Sequence, residues 1–159
     1  MEENNKHVQP NSKEEGVQRL NRILSESLIK ATDTYKTPPQ IIWVDNSSIA
    51  TLGNFSASTG KAKAKKTFNV SALVAASLAN GKVLNYRASL PEGKRKILYV
   101  DTEQSRYHCH NVLERILKLA GLPTSIDNEN LDFICLREYT PSVRIEAVSY
   151  THLRAHETS

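Results

Sequence analysis

The chain has 159 residues, 39% of them hydrophobic and 24% charged, with a formal net charge of +4. That is enough for one domain with a sizeable core, and the composition excludes a wholly disordered chain. No apolar run nears the roughly 20 residues needed to span a bilayer, and the opening Met1-Glu-Glu-Asn-Asn-Lys lacks a signal-peptide apolar region, so no membrane partner is expected and the expected compartment is the cytoplasm. Cys109 and Cys135 are read as reduced thiols in that setting.

Residues 1–12 are polar and expected to be disordered. Residues 13–37 are read as a helix and linker. Val17, Leu20, Leu24, Leu28 and Ala31 recur at three- and four-residue steps over 13–31, and Pro38 and Pro39 forbid a continuing helix. Ile41–Val44 reads as a short strand and Asp45–Ser48 as its turn. Ile49–Ala57 reads as a second strand, with Gly53 as a bulge or close backbone approach. Phe68–Ala79 is rich in small apolar residues and predicts a helix buried over most of its circumference, stopped by Asn80-Gly81.

Residues 82–95 read as an irregular connection, and the knot Lys94-Arg95-Lys96, just after Pro91 and Gly93, as solvated surface. Ile97–Asp101 is a continuous apolar strand of the kind covered on both faces in parallel sheets. Gln104–Ala120 predicts a helix that Gly121 and Pro123 stop, and Phe133–Leu136 predicts the next strand. Thr140 as N-cap and Pro141 as first residue open a last helix. This order argues an α/β fold with a parallel sheet and flanking helices, preceded by an N-terminal helix. Right-handed crossovers then place Ala57, Asp101 and Leu136 at one sheet edge, where open α/β sheets bind ligands.

The tail Val148-Ser-Tyr-Thr-His-Leu-Arg-Ala-His-Glu-Thr158 resembles one reading frame of a transposase-based sequencing adapter. Residues 148–159 are therefore set aside as a non-native tail. The spacing of His152, His156 and Glu157, which imitates a metal-ligand pattern, is set aside with them.

The run Gly60-Lys-Ala-Lys-Ala-Lys-Lys-Thr67 stands between the second expected strand and the small-residue helix. The phosphate-loop pattern G-x-x-x-x-G-K-[ST] belongs in that place: its amides cradle phosphates, its Lys reaches the β/γ-phosphates and its hydroxyl holds Mg²⁺. Gly60, Lys66 and Thr67 fit, and Lys65 replaces the second glycine. If that position needs positive φ, a side chain there costs roughly 1–2 kcal/mol, which an extra ammonium beside phosphate, or a reshaped loop, could offset. Lys61 and Lys65 join Lys66 in a basic cluster suited to a polyanion.

Asp101-Thr-Glu-Gln104 follows the strand at the same expected edge, so Glu103 could orient a water near a γ-phosphate; the plain alternative is an acidic helix start. Arg106-Tyr-His-Cys-His110 cannot converge on one metal, because neighbours on a helix point about 100° apart. Arg106 is left as a contact to phosphate or to a neighbouring subunit. Trp43 is read as a packing residue rather than one that stacks on bases.

A phosphate loop after one strand, D-T-E-Q after the next, and a helix ending Leu119-Ala-Gly-Leu-Pro123 together resemble the RecA-like P-loop ATPases. The likeness covers roughly residues 38–147 and is strongest to hexameric replicative helicases and plasmid RepA-type proteins, including ATPases of mobile elements. It implies an enzyme that binds ATP and Mg²⁺, forms a homo-oligomer and acts on DNA in replication or mobilization. Lys66 and Glu103 would be its catalytic residues, Gly60, Lys61, Lys65, Lys66 and Thr67 would bind nucleotide, and Thr67 would ligate the metal. The strand bearing the family's Mg²⁺-binding Asp would follow Ala147, so the chain is expected to be the front part of such a domain, inactive by itself and poorly stable. The alternatives are a non-catalytic nucleic-acid-binding regulator on the same fold and a P-loop phosphotransferase.

Overall fold

The computed structural model describes residues 12–61 and 65–157, and of residues 12–14 and 152–157 the backbone alone. The disorder expected at the start, save for Ser12, the Lys63 member of the basic run and the side chains of His152, His156 and Glu157 lie outside the described residues. The chain divides between Thr37 and Pro38 into two units.

The first unit is built on α1 (Ser12–Ser27). Its stripe Val17, Leu20 and Leu24 is exposed. The helix stops four residues short of Ala31, because a local turn takes over. Asp33 accepts the Lys30 amide (2.8 Å) and the Tyr35 hydroxyl (2.9 Å), and its own amide donates to the Lys30 carbonyl (3.0 Å). Such side-chain bonds offer the backbone an alternative to the helical ladder. They also hold the Asp33 carboxyl below its ordinary range, the Lys30 amide contributing most.

The second unit holds β1 (Gln40–Val44), β2 (Ser47–Thr51), α2 (Lys66–Ala79), β3 (Lys82–Val83), β4 (Tyr86–Ala88), β5 (Ile97–Asp101), α3 (Arg106–Leu119), β6 (Leu131–Cys135) and α4 (Pro141–Glu157). It is mixed α/β, and the single parallel sheet expected from the sequence is not formed. β2-β1-β4-β3 make an antiparallel sheet, and only β5 and β6 pair in parallel. Turn length explains the difference. Asp45-Asn46 and Leu84-Asn85 are two-residue turns, and such turns join only antiparallel neighbours. The one long crossover, through α3, connects the parallel pair.

Two boundaries are corrected. The second expected strand ends at Thr51, and Gly53 (φ 81°) lies in a turn rather than a bulge. Residues 54–60 have no strand partner, and Phe55 is 95% exposed. Within the stretch expected to be irregular, β4 pairs with β1 through Ile42↔Ala88, Trp43↔Arg87 and Val44↔Tyr86.

α2 is the centre of the core. Ser71, Ala72, Ala75 and Ala76 are almost wholly buried, so their small side chains let the antiparallel sheet and α3 approach α2 closely. Ile42, Val83 and Ala88 of the sheet, and Val112 and Ile116 of α3, fill the remaining space. Ser71 and Ser77 satisfy their buried hydroxyls on carbonyls one turn earlier, Thr67 O (2.7 Å) and Leu73 O (3.0 Å). Burial at 71, 72 and 74–77 fits the helix enclosed on most sides that the composition predicts.

Both inner helices end in the Schellman motif. For α2 the Asn80 amide donates to Ser77 O (3.2 Å) and the Gly81 amide to Ala76 O (3.1 Å), with Asn80 left-handed at φ 47°. For α3 Gly121 (φ 72°) takes the left-handed position, and the Leu122 amide donates to Leu117 O (2.9 Å). β5 is less covered than its apolar sequence suggests: Leu98 is exposed, and Tyr99 stacks on its register partner Phe133 with centroids 4.3 Å apart.

Candidate phosphate-binding site

The basic run meets α2 at its N-terminus. Lys65 is the N-cap, with φ 55° and ψ 27°, so the residue at the second-glycine position of the motif is left-handed. Its carbonyl accepts the amides of Phe68 (3.0 Å) and Asn69 (3.1 Å), which begins the helix. No side chain caps that end and the first turn holds no acidic residue. The amides of Lys66 and Thr67 find no acceptor among the described residues. A helix start leaves such donors pointing outward with the positive end of the dipole.

The Lys66 ammonium donates to the Gly60 carbonyl at 3.0 Å and so closes the loop on its first residue. Gly60 and Lys66 are therefore in contact, with Lys65 beside them in the chain. Lys61, Lys65, Lys66 and Thr67 are exposed. Two lysines at the N-cap and first position of a helix oppose its dipole, where each cation costs about 0.3–1 kcal/mol. An anion at this end reverses that sign.

The loop after β5 is organised by Asp101, which is 8% exposed. Its Oδ1 accepts the amides of Glu103 (2.9 Å) and Gln104 (2.7 Å), and its Oδ2 accepts the Gln104 side-chain amide (3.0 Å). The three donors offset the burial of that carboxylate. Glu103 itself is exposed, three residues before α3, so it is not a residue of the helix's first turn. Ser105 holds the N-cap position instead, with its hydroxyl 2.9 Å from His108 Nδ1. No hydrogen bond or ion pair joins Glu103 to the loop at 60–67 among the described residues.

Asp101 and Cys135 are register partners, and the Leu136 amide donates to Asp101 O at 2.7 Å. Two of the three strand ends expected at one edge are thus adjacent. Ala57, the third, is not a strand end. Beneath the turn, the thiols of Cys109 (3.8 Å) and Cys135 (3.4 Å) both approach the Gln104 carbonyl. Burial, reinforced by the hydrogen bond with Cys135 and by the Asp101 charge, pushes the Cys109 thiol up to about 11. Both cysteines are free thiols, as the sequence predicts. Asp101 and the convergence of both thiols on one carbonyl were not foreseen; an Asp two and three residues before the amides it accepts is the local signal for the first.

The described residues contain no group of three or more His, Cys, Asp or Glu side chains able to hold a metal. Two surface hollows, of about 410 Å³ beside Glu114 and Lys118 and about 520 Å³ beside Arg95 and Lys96, lie apart from the loop residues. No described helix is long and apolar enough to cross a membrane. Comparison with protein-family models, curated proteins and solved structures finds no match to this chain.

Proposed function

We propose that residues 60–67 bind the phosphates of Mg·ATP, and that the chain is part of a cytoplasmic RecA-like ATPase that works as a homo-oligomer on DNA in replication or mobilization of a mobile element. The observation that carries this reading is the start of α2. A left-handed Lys65 and a Lys66 tied to Gly60 stand at an uncapped helix end with no carboxylate near in sequence. Cations held against a dipole, beside free amides, are arranged for an anion.

Within this reading each residue has a distinct task. Lys66 would leave the Gly60 carbonyl to neutralise phosphate charge, the amides of Lys66 and Thr67 would donate to phosphate oxygens, and the Thr67 hydroxyl would hold the metal that offsets phosphate charge. Lys61 and Lys65 add positive field from the loop. Glu103, its backbone fixed by buried Asp101, presents an exposed carboxylate that orients the attacking water.

Equilibrium titration of this chain with Mg·ATP, Mg·ADP and adenosine tests the phosphate claim. Saturable binding of both nucleotides but not of adenosine is expected. A charge-assisted hydrogen bond to phosphate is worth about 1.5–3 kcal/mol, so Lys66→Ala weakens binding by about ten- to a hundredfold. Equal affinity for adenosine, or an unchanged Lys66→Ala titration, refutes the reading.

A further inference from the structure

A second basic surface lies on the antiparallel sheet, away from its core face. Ile42 and Ala88 are register partners and both are buried in the core. Side chains alternate along a strand, so their neighbours Trp43 and Arg87, also register partners, face the other way. Arg87 pairs in turn with Lys82, and Trp43 with Ser48. One row across all four strands therefore reads Ser48, Trp43, Arg87, Lys82, spanning three strand spacings or about 14 Å.

The chemistry of that row is specific. The Arg87 guanidinium carbon lies over the Trp43 ring, 3.8 Å from its centroid, which makes a cation–π contact. Arg87 and Lys82 are exposed, and neither side chain makes a hydrogen bond or an ion pair among the described residues. None of the residues in the four strands is acidic. Trp43 is half-buried and packs against Arg87 rather than within the core cluster.

We infer that this sheet face binds single-stranded nucleic acid. The guanidinium over the indole is the first layer of a stack, and a base lies on its exposed side. The guanidinium edge and the Lys82 ammonium, which lack protein acceptors, meet backbone phosphates. Aromatic and Arg platforms in a positively charged groove bind single strands without sequence preference. The inference deepens the DNA-acting reading above by naming a surface, and rests on that reading only for the choice of partner.

Trp43 is the only tryptophan of the chain, so its emission reports this surface alone. The chain is titrated with an oligothymidine of about twelve nucleotides, within the site sizes of roughly 4–16 that such sheets cover. Saturable quenching is expected, with log affinity falling by about 0.7 per phosphate contact for each unit of log salt. Arg87→Lys keeps the charge but loses the planar layer, and weakens binding about tenfold. Lys82→Ala, at an exposed position that does not endanger folding, lowers the salt slope by about one contact.

Three results overturn the inference. The first is no quenching, and the second is equal quenching by inorganic polyphosphate or by anionic vesicles. The third is displacement of the oligonucleotide by Mg·ATP, which would place it on the loop at 60–67. Quenching without nucleotide binding retains this surface and removes the ATPase reading. Nucleotide binding without quenching does the reverse.

Discussion

Replacing Lys65 by glycine isolates the strain at the loop-to-helix junction. The residue sits at φ 55° and ψ 27°, in the left-handed region, where an L-residue costs roughly 1–2 kcal/mol. Its side chain is exposed, so little packing is lost with it. Glycine removes the strain but gains backbone entropy in the unfolded chain, which offsets about 0.5–1 kcal/mol. From backbone geometry alone the expectation for Lys65→Gly is a stabilisation of about 0.5–1 kcal/mol. For a chain of this length that raises Tm by about 1–4 °C, readable by circular dichroism. Lys65→Ala is the decisive control. It removes the ammonium and keeps the Cβ, so strain persists and only the roughly 0.3–1 kcal/mol that a cation costs at a helix start is recovered. Lys65→Gly recovers that as well, so its Tm should exceed that of Lys65→Ala by the about 1–4 °C due to backbone geometry. An equal rise for both variants would mean that repulsion among the lysines, not backbone geometry, is the cost, and a fall for Lys65→Gly would refute the left-handed assignment.

Other expectations follow from the core and the thiols. Ile116 is fully buried between α3 and α2, so Ile116→Ala costs about 2–5 kcal/mol by lost transfer and cavity terms; a change under about 1 kcal/mol in denaturant unfolding contradicts the packing. Cys109 is 3% exposed, and burial pushes its thiol up to about 11 from its ordinary 9.0. At pH 8 iodoacetamide therefore labels the partly exposed Cys135 first, as peptide mapping by mass spectrometry can show; faster labelling of Cys109 refutes its burial. Because the folded thiol holds its proton more tightly than the unfolded one, its contribution to stability is intact below pH 9 and is lost as pH rises toward 11. Cys109→Ala should flatten the fall in Tm across that interval, and an unchanged slope contradicts the shift.

Elements with both a strong period and proper stop signals were legible. α2 and α3 end at the expected Asn80-Gly81 and Gly121, since those residues supply the left-handed geometry that a helix end requires. β5 and β6 lie within two residues of their expected positions. Antiparallel pairing was not legible. In Lys82–Ala88 the first turn position is Leu84 at φ 54°, a residue with no turn chemistry, so Asn85 was the hairpin's one local mark and a Leu stood where Gly or Asn would have completed it. The segment around Phe55 carries Leu52, Phe55 and Ala57 among small polar residues, and strand formation depends on a neighbour, which the described residues do not supply. At the candidate site, the left-handed backbone at Lys65 could be anticipated from its place at the second-glycine position of the motif. The Asp101 turn and the exposed Arg87 over Trp43 depend on register and burial, which one sequence does not state.

The central claim is that the loop at 60–67 takes phosphate, and amide-resolved NMR tests it most directly. In a ¹H–¹⁵N spectrum of the chain, Mg·ATP and inorganic triphosphate should both shift the amides of Gly60, Lys66, Thr67 and Phe68, while adenosine leaves them in place. Shifts confined to other lysine clusters, such as Lys94–Lys96, or no shift at the start of α2, would contradict the account.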